Sequence, residues 1–465
     1  MSIKQLQIVG GSKPGRFPKL SDEASYNFFP IDGGMMTYPG YRSVATLGTG
    51  GGEGRAFYHS VLGGFAIAVI GNTVYKMQNM SSGLSIGTLS TSFGFVYISE
   101  NGNSEICLSD NAVFYVYKYS TPASFAAQIL TVSPGMIAEA LGYIFVAANN
   151  SHTFIYSKVN NATDFPLQNT GSLGSDRVTG VANLNDWIYV FGQRTTKAWR
   201  TIGAAINPFQ LDTSKVYQYG CLNAASIATD VEVLAWFGVT KTGNASVMAV
   251  IGGGAPQAVT TDGFDYLFSN LAAPASCSAF IWKQDGHTFY QLTFFDQRDN
   301  WTLVVDFTTK AFFYATDPFL NLHIAKEMIN FNQKYYFLSF IDNKVYTISS
   351  DIGGGDGEII PAIRITPPWR QESYKLIRYK KLEIIAEQGV SPDAMNMDVS
   401  FASDNGNTSF DMAERIPFAP LGVKNWTCRV FQLGASRERS FKFAFYGKNR
   451  FVILSGYIEV EDADI

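Results

Sequence analysis

A recurring aromatic hairpin limits what this chain can fold into more than any other feature. Phe65-Ala-Ile-Ala-Val-Ile70 passes through Gly71-Asn72 into Val74-Tyr75, and Lys334-Tyr-Tyr-Phe-Leu-Ser-Phe340 passes through Asp342-Asn343 into Val345-Tyr346. Gly, Asn and Asp tolerate the positive φ that a tight hairpin turn demands. Related bursts are Val113-Phe-Tyr-Val-Tyr117, Leu141-Gly-Tyr-Ile-Phe-Val-Ala-Ala148, Leu184-Asn-Asp-Trp-Ile-Tyr-Val-Phe191 and Gly286 to Phe294, the last followed by Trp301-Thr-Leu-Val-Val-Asp306. Helical periodicity is almost absent over useful lengths, so the chain reads as all-β.

The bursts start near residues 65, 112, 142, 186, 287 and 334, at intervals of 47, 30, 44, 101 and 47, and the long interval has room for two units. Intervals near 45 match a four-stranded propeller blade. One blade alone leaves both faces bare, so blades must stack radially until a ring closes. The expectation is a β-propeller of about six or seven blades over residues 46–355, preceded by an N-terminal arm and first strands over 1–45. Asp351-Ile-Gly-Gly-Gly-Asp-Gly357 reads as a flexible boundary. Beyond it, Lys380 to Ala386, Asn396 to Ala402, Phe441 to Phe445 and Val452 to Val460 alternate with period two. At roughly a hundred residues, 356–465 has the size of an antiparallel β-sandwich.

Composition excludes several classes of function. Hydrophobic residues make up 46% of the 465 and charged residues 16%, which excludes a disordered chain. The net charge of −4 gives no global attraction to polyanions. Residues 361–465 hold 14 Lys and Arg against 13 Asp and Glu, leaving the first 360 with an acidic excess. Cys107, Cys221, Cys277 and Cys428 show neither paired nor zinc-type spacing and suit a reducing compartment. The N-terminus lacks a secretory apolar stretch and no run is long enough to span a bilayer, so synthesis in a host cytoplasm is expected.

Motifs for chemistry are sparse. His59, His152, His287 and His323 lie too far apart for metal-ligand spacing, and no phosphate-cradling loop is present, so no metal or cofactor is expected. Gly83-Leu84-Ser85-Ile86-Gly87 has the form of a nucleophile elbow. It lacks the helix that must follow one and reads as a turn between strands. Asp110, Asp186, Asp285 and Asp296 stand near strand ends, where paired glycosidase carboxylates would stand, but Asp beside a turn more commonly bonds local backbone. Trp187, Trp236 and Trp301 sit in apolar strands and read as core. The glycosylation-type triplets at Asn161, Asn244, Asn300 and Asn425 need a secretory route to matter. The densest cationic stretch comprises Arg364, Arg370, Lys375, Arg378, Lys380 and Lys381, interleaved with Tyr374 and Tyr379. It is the candidate interface, with a solvated strand face as the alternative.

Three places resemble one known family: Tyr26-Asn-Phe-Phe-Pro30 through Tyr38-Pro-Gly40 to Val74-Tyr75; Val216-Tyr-Gln-Tyr-Gly220 with Ala235-Trp-Phe-Gly238; and Arg437-Glu-Arg-Ser-Phe-Lys-Phe443 with Leu454-Ser-Gly-Tyr-Ile-Glu-Val460. In their order and in total length they resemble the tail hub, or packaged-DNA stabilisation, proteins of short-tailed bacteriophages, related to podovirus nozzle proteins. The resemblance implies a structural virion component without catalytic residues. It implies a homohexamer below the portal-adaptor (head-to-tail connector) complex, which extends the DNA channel, retains the packaged genome and meets tail fibre, tailspike or needle proteins. Double-stranded DNA would pass without sequence-specific binding. The alternatives are a propeller glycosidase and a carbohydrate-binding adhesin.

Overall fold

The computed structural model describes residues 2–15, 23–204, 206–240, 242–371, 373–389, 395–403, 410–411, 414–418, 421–423 and 426–463. Seven antiparallel blades surround an axis. Their innermost strands are, in order, Gly54–Ser60, Tyr97–Glu100, Pro134–Ala140, Val178–Leu184, the split pair Gly220–Cys221 and Ala228–Thr229, Cys277–Gln284 and Ala325–Phe331. Each touches the next, and the seventh touches the first, so the ring is closed. Two-residue turns join first to second strands at Leu141-Gly142, Asn185-Asp186, Asp285-Gly286 and Asn332-Gln333, every one of these residues at positive φ. Second strands are buried on both faces, as Phe65–Ile70 illustrates, because each blade is covered by a neighbour on either side.

Five of the six bursts fall on or next to second strands. The burst near 112 falls instead beside a third strand, Phe114–Lys118, because the second strand of that blade, Glu105–Ser109, contains no aromatic residue. The interval of 101 residues contains blade five and an α-helix, Asp262–Ser269. Closure of the ring starts outside 46–355: the outermost strand of blade seven is Gly40–Thr46, paired with Lys344–Ser349.

The C-terminal residues form two packed sheets, and both contain N-terminal strands. Ser2–Leu6 and Gly34–Thr37 pair with Val452–Asp462, while Ala24–Tyr26 pairs with Ala362–Ile365. Ser2–Leu6, Ala24–Tyr26 and Gly34–Thr37 are therefore built into the sandwich rather than forming an arm. Ala24–Tyr26 also pairs, in parallel, with Ala311–Ala315 at the rim of blade six, so one ten-stranded sheet runs from the propeller axis into the sandwich. Phe28–Ile31 carries the same junction in its side chains. Successive strand residues point to opposite faces, which places Phe28 in the sandwich core and Phe29 among Phe289, Phe313 and Tyr38 of the propeller core. The buried Asn27 side chain donates to Thr316 Oγ1 (2.6 Å) and the Pro361 carbonyl (2.8 Å), and accepts from the Thr316 N–H (2.8 Å).

The expected flexible boundary at Asp351 to Gly357 is a packed seam. A Cβ on Gly353 would lie 1.2 Å from the Lys448 carbonyl oxygen, and one on Gly40 would lie 2.4 Å from the carbonyl oxygens of Gly354 and Ile352. The glycines there permit backbone to approach backbone.

Candidate functional site

The innermost strands line an axial cavity of about 500 Å³. Four of them, those beginning at Gly54, Pro134, Val178 and Ala325, shift register near their starts. A bulge of this kind re-aims a side chain. In blade one it accompanies Arg55, whose guanidinium donates to the carbonyl oxygens of Gly71, Thr91, Phe93 and Gly94 and to Thr91 Oγ1, all within 2.7–2.8 Å. Arg55 thereby ties blade one to the loop entering blade two. In blade seven it accompanies Lys326, whose Nζ lies 3.9 Å from the centre of the Phe95 ring and 4.7 Å from that of Phe295. Such contacts stabilise a cation at low hydration. Burial pushes the Lys326 amine down to about 8 and the neighbouring Glu327 carboxyl up to about 7. Both are deep in the molecule yet keep part of their surface open to the cavity.

The lining also carries carboxylates. Glu100 accepts from Ser60 Oγ (2.7 Å) and Tyr119 Oη (2.6 Å) through one oxygen. Glu139 accepts from the Gly142 N–H (2.6 Å), and its carboxyl is raised first by burial and then by nearby Asp186. Glu327 accepts from the Phe57 N–H (2.8 Å). His59 also lines the cavity, its pKa lowered by burial. Among the described residues, no cluster of three His, Cys, Asp or Glu could hold a metal ion. Sequence reading missed these glutamates because no local motif announces them; only the ring brings residues of blades two, three and seven to one axis.

The carboxylates marked from sequence cap turns and do not line this cavity. Asp110 accepts from Ser90, Thr91, Ala112 and Val113. Burial alone would raise its pKa, but those hydrogen bonds outweigh it and leave the group below the usual value. Asp186 and Asp285 occupy positive-φ turn positions, and Asp296 accepts from the Arg298 N–H (3.0 Å). Gly83 to Gly87 is no turn: it lies within the outermost strand of blade one, Ser82–Thr88, with Ser85 exposed. Trp236 is fully buried, whereas Trp187 is partly open beneath Lys215 and Arg200. Asn425 lies outside the described residues.

The basic strip divides in two. Arg364 is fully buried, bonded to Glu23 and to the carbonyl oxygens of Ile8 and Gly11, and Tyr379 is buried in the sandwich core. Tyr379 is turned inward by alternation along Ile377–Ala386, and Arg364 lies on another strand, Ala362–Ile365, whose first three residues are all buried, so neither belongs to an exposed strip. Arg370, Tyr374, Lys375 and Arg378 are exposed. Lys380 pairs with Glu461 at 2.6 Å and Arg378 with the same carboxylate at 3.4 Å, while Lys381 meets Glu383 and Glu459 at 3.3 and 3.5 Å. Arg378 and Lys380 border a surface groove that also holds Phe431, which is 57% exposed.

A family model described as Phage_stabilise, bacteriophage P22 Gp10, β-propeller, matches residues 5–314. The chain belongs to this family. Membership makes it a phage stabilisation protein and a virion component, and the family description names a β-propeller, of which the matched residues hold blades one to six. No curated protein matches the chain. Among solved structures, the Pan2 WD40 domain of Neurospora crassa is 8% identical, with 66% of this chain and 95% of that one covered and a TM-score of 0.43. A virginiamycin B lyase from Staphylococcus aureus is 9% identical, with 67% and 99% covered and a TM-score of 0.46. The assignment rests on the family match and not on these likenesses. No helix among the described residues is long and apolar enough to cross a membrane.

Proposed function

We propose that six copies of this chain form a ring below the portal-adaptor complex of a short-tailed phage, extending the DNA channel, helping to retain the packaged genome and docking further tail parts. The chain is then a wall component and not an enzyme. The observation that carries this reading is the family match over residues 5–314. The axial cavity supports it by its size. A duplex whose major groove alone is about 12 Å wide has no passage through a space of about 500 Å³ with Lys326, Phe95 and Phe295 gathered beside it. DNA must therefore run between subunits. Within the ring, exposed Arg370, Tyr374, Lys375 and Arg378, with the groove beside Phe431, are the surface we assign to neighbouring subunits or the adaptor.

Electron microscopy of the purified protein mixed with portal-adaptor complex tests this. The expected image is a six-membered ring with a duplex-wide opening between subunits. A monomer that never joins the complex would contradict it.

A further inference from the structure

The axial cavity has two unlike ends. Contacts between neighbouring innermost strands join like positions. Phe57, fourth in the strand of blade one, donates its N–H to Glu327, third in that of blade seven; Ser60 donates to Glu100, each the last of its strand; and Asn183 Nδ2 donates to the Glu139 carbonyl oxygen, each residue the sixth. These strands therefore run in one direction and nearly in step. Arg55 and Lys326, second in their strands, stand at the starting end of the cavity, and His59, Glu100 and Glu139, sixth or last, at the finishing end. Lys326 forms no ion pair and donates no hydrogen bond among the described residues. Its amine rests on the Phe95 and Phe295 rings, with Glu53 and Glu327 acting only from a distance. A buried cation is ordinarily paired with an anion. At the other end Glu100 and Glu139 each accept hydrogen bonds through one oxygen, leaving the second free among the described residues. The cavity thus lacks an anion at one end and a cationic donor at the other.

Between these ends the walls are strand edges. Each innermost strand pairs only with the second strand of its blade, so its other edge faces the axis. Such edges recruit extended chain. From the second to the sixth residue of a strand is roughly 13 Å, and hydrogen bonds at both ends take up about 3 Å each. Lys326 leans outward to Phe95, which precedes Tyr97–Glu100 by two residues, and restores part of that length. We infer that the cavity binds an extended tripeptide, roughly 10 Å long, by its two free termini, the carboxylate at Lys326 and the ammonium at Glu100 and Glu139. The carboxylate supplies the anion that Lys326 lacks, the ammonium supplies the missing donor, and the amides between them meet the strand edges. A volume of about 500 Å³ admits such a ligand.

The test titrates the full chain with triglycine at pH 7, where Lys326, with a pKa of about 8, is mostly charged, and follows binding by ligand-detected NMR. Acetyl-triglycine lacks the ammonium and triglycine amide lacks the carboxylate. Each is expected to bind at least ~10-fold more weakly, since a charge-assisted hydrogen bond contributes about that factor or more. The zwitterion 8-aminooctanoate, which keeps both charges without amides, should also bind more weakly. Lys326→Met should abolish the preference for triglycine over its amide and keep the preference over the acetylated peptide; Glu100→Gln with Glu139→Gln should do the reverse. Wild type that binds all three peptides equally, or none, would overturn the inference, as would a folded Lys326→Met that still prefers the carboxylate. Equal binding of 8-aminooctanoate and triglycine would overturn the assignment of a peptide. The wild-type series decides the matter even if a variant fails to fold. Ring images bear on the preceding reading alone, so the two fail separately.

Discussion

The propeller and the sandwich are both β-structure held by aromatic cores, yet their strands find partners in opposite ways. Within each of blades one to six, every strand has a partner close by in sequence. The sandwich pairs the two ends of the chain: Ser2 faces Val460, Met35 faces Ile453, and the Arg364 guanidinium meets Glu23 across 341 residues of sequence. Local pairing costs little loop-closure entropy, and distant pairing costs more and forms later. The difference teaches that the propeller is a repeat of local units, while the sandwich and its junction depend on a few long-range contacts.

The largest expected effect comes from breaking one of those contacts. Glu23→Ala leaves the Arg364 guanidinium buried without its counter-ion, and loss of one partner of a buried pair costs about 3–5 kcal/mol. Urea titration should show this, and replacing both partners with apolar residues should recover much of it. A double variant as unstable as Glu23→Ala would argue that the pair is not what holds the N-terminal segment.

Phe28→Ala and Phe29→Ala sharpen the comparison, because two adjacent residues report on two cores. Each removes a fully buried ring, for about 3–5 kcal/mol. Hydrogen exchange should rise first in Phe441 to Phe445 for Phe28→Ala, and first around Phe289 and Phe313 for Phe29→Ala. The same pattern in both variants would deny that the strand divides its faces between the domains.

These elements also show what was legible in sequence. Hairpins were legible wherever apolar periodicity and a positive-φ turn coincide, as at Leu141-Gly142. In blade two the aromatic signal falls one strand late because Glu105–Ser109 lacks an aromatic ring. The sharing of the four N-terminal strands between domains is not legible, since three- to five-residue strands look alike whichever distant strand they join. Glycines 353–355 read as a linker, because sequence cannot separate a glycine needed for freedom from one needed for close approach. Glu100, Glu139 and Glu327 became a group only when the ring closed.

The smallest effect is a pH dependence in the propeller. His323 is fully buried, touching Gln291 and the rings of Tyr38, Tyr41 and Phe337, and burial pulls its pKa from 6.5 down to about 3. Below pH 6.5 the unfolded chain binds this proton and the folded chain does not, so stability falls by up to about 1.4 kcal/mol per pH unit. Glu327 acts with the opposite sign. Burial raises it to about 7 from 4.5, so between these values the folded state holds the extra proton and stability rises as pH falls. The two slopes oppose each other from about pH 6.5 to 4.5. Glu327→Gln should therefore expose an acid-labile protein, and His323→Gln one whose melting temperature rises on mild acidification. Parallel pH profiles for wild type and both variants would refute this assignment.

One sheet welds propeller to sandwich through Ala311–Ala315 and Ala24–Tyr26. Native-state hydrogen exchange in rising urea tests it most directly, by following amides of Ala311–Ala315 in blade six and of Glu438–Tyr446 in the sandwich. Both segments are expected to open with the same urea dependence, as one cooperative unit. Opening of Glu438–Tyr446 at clearly lower urea, while Ala311–Ala315 stays protected, would contradict it.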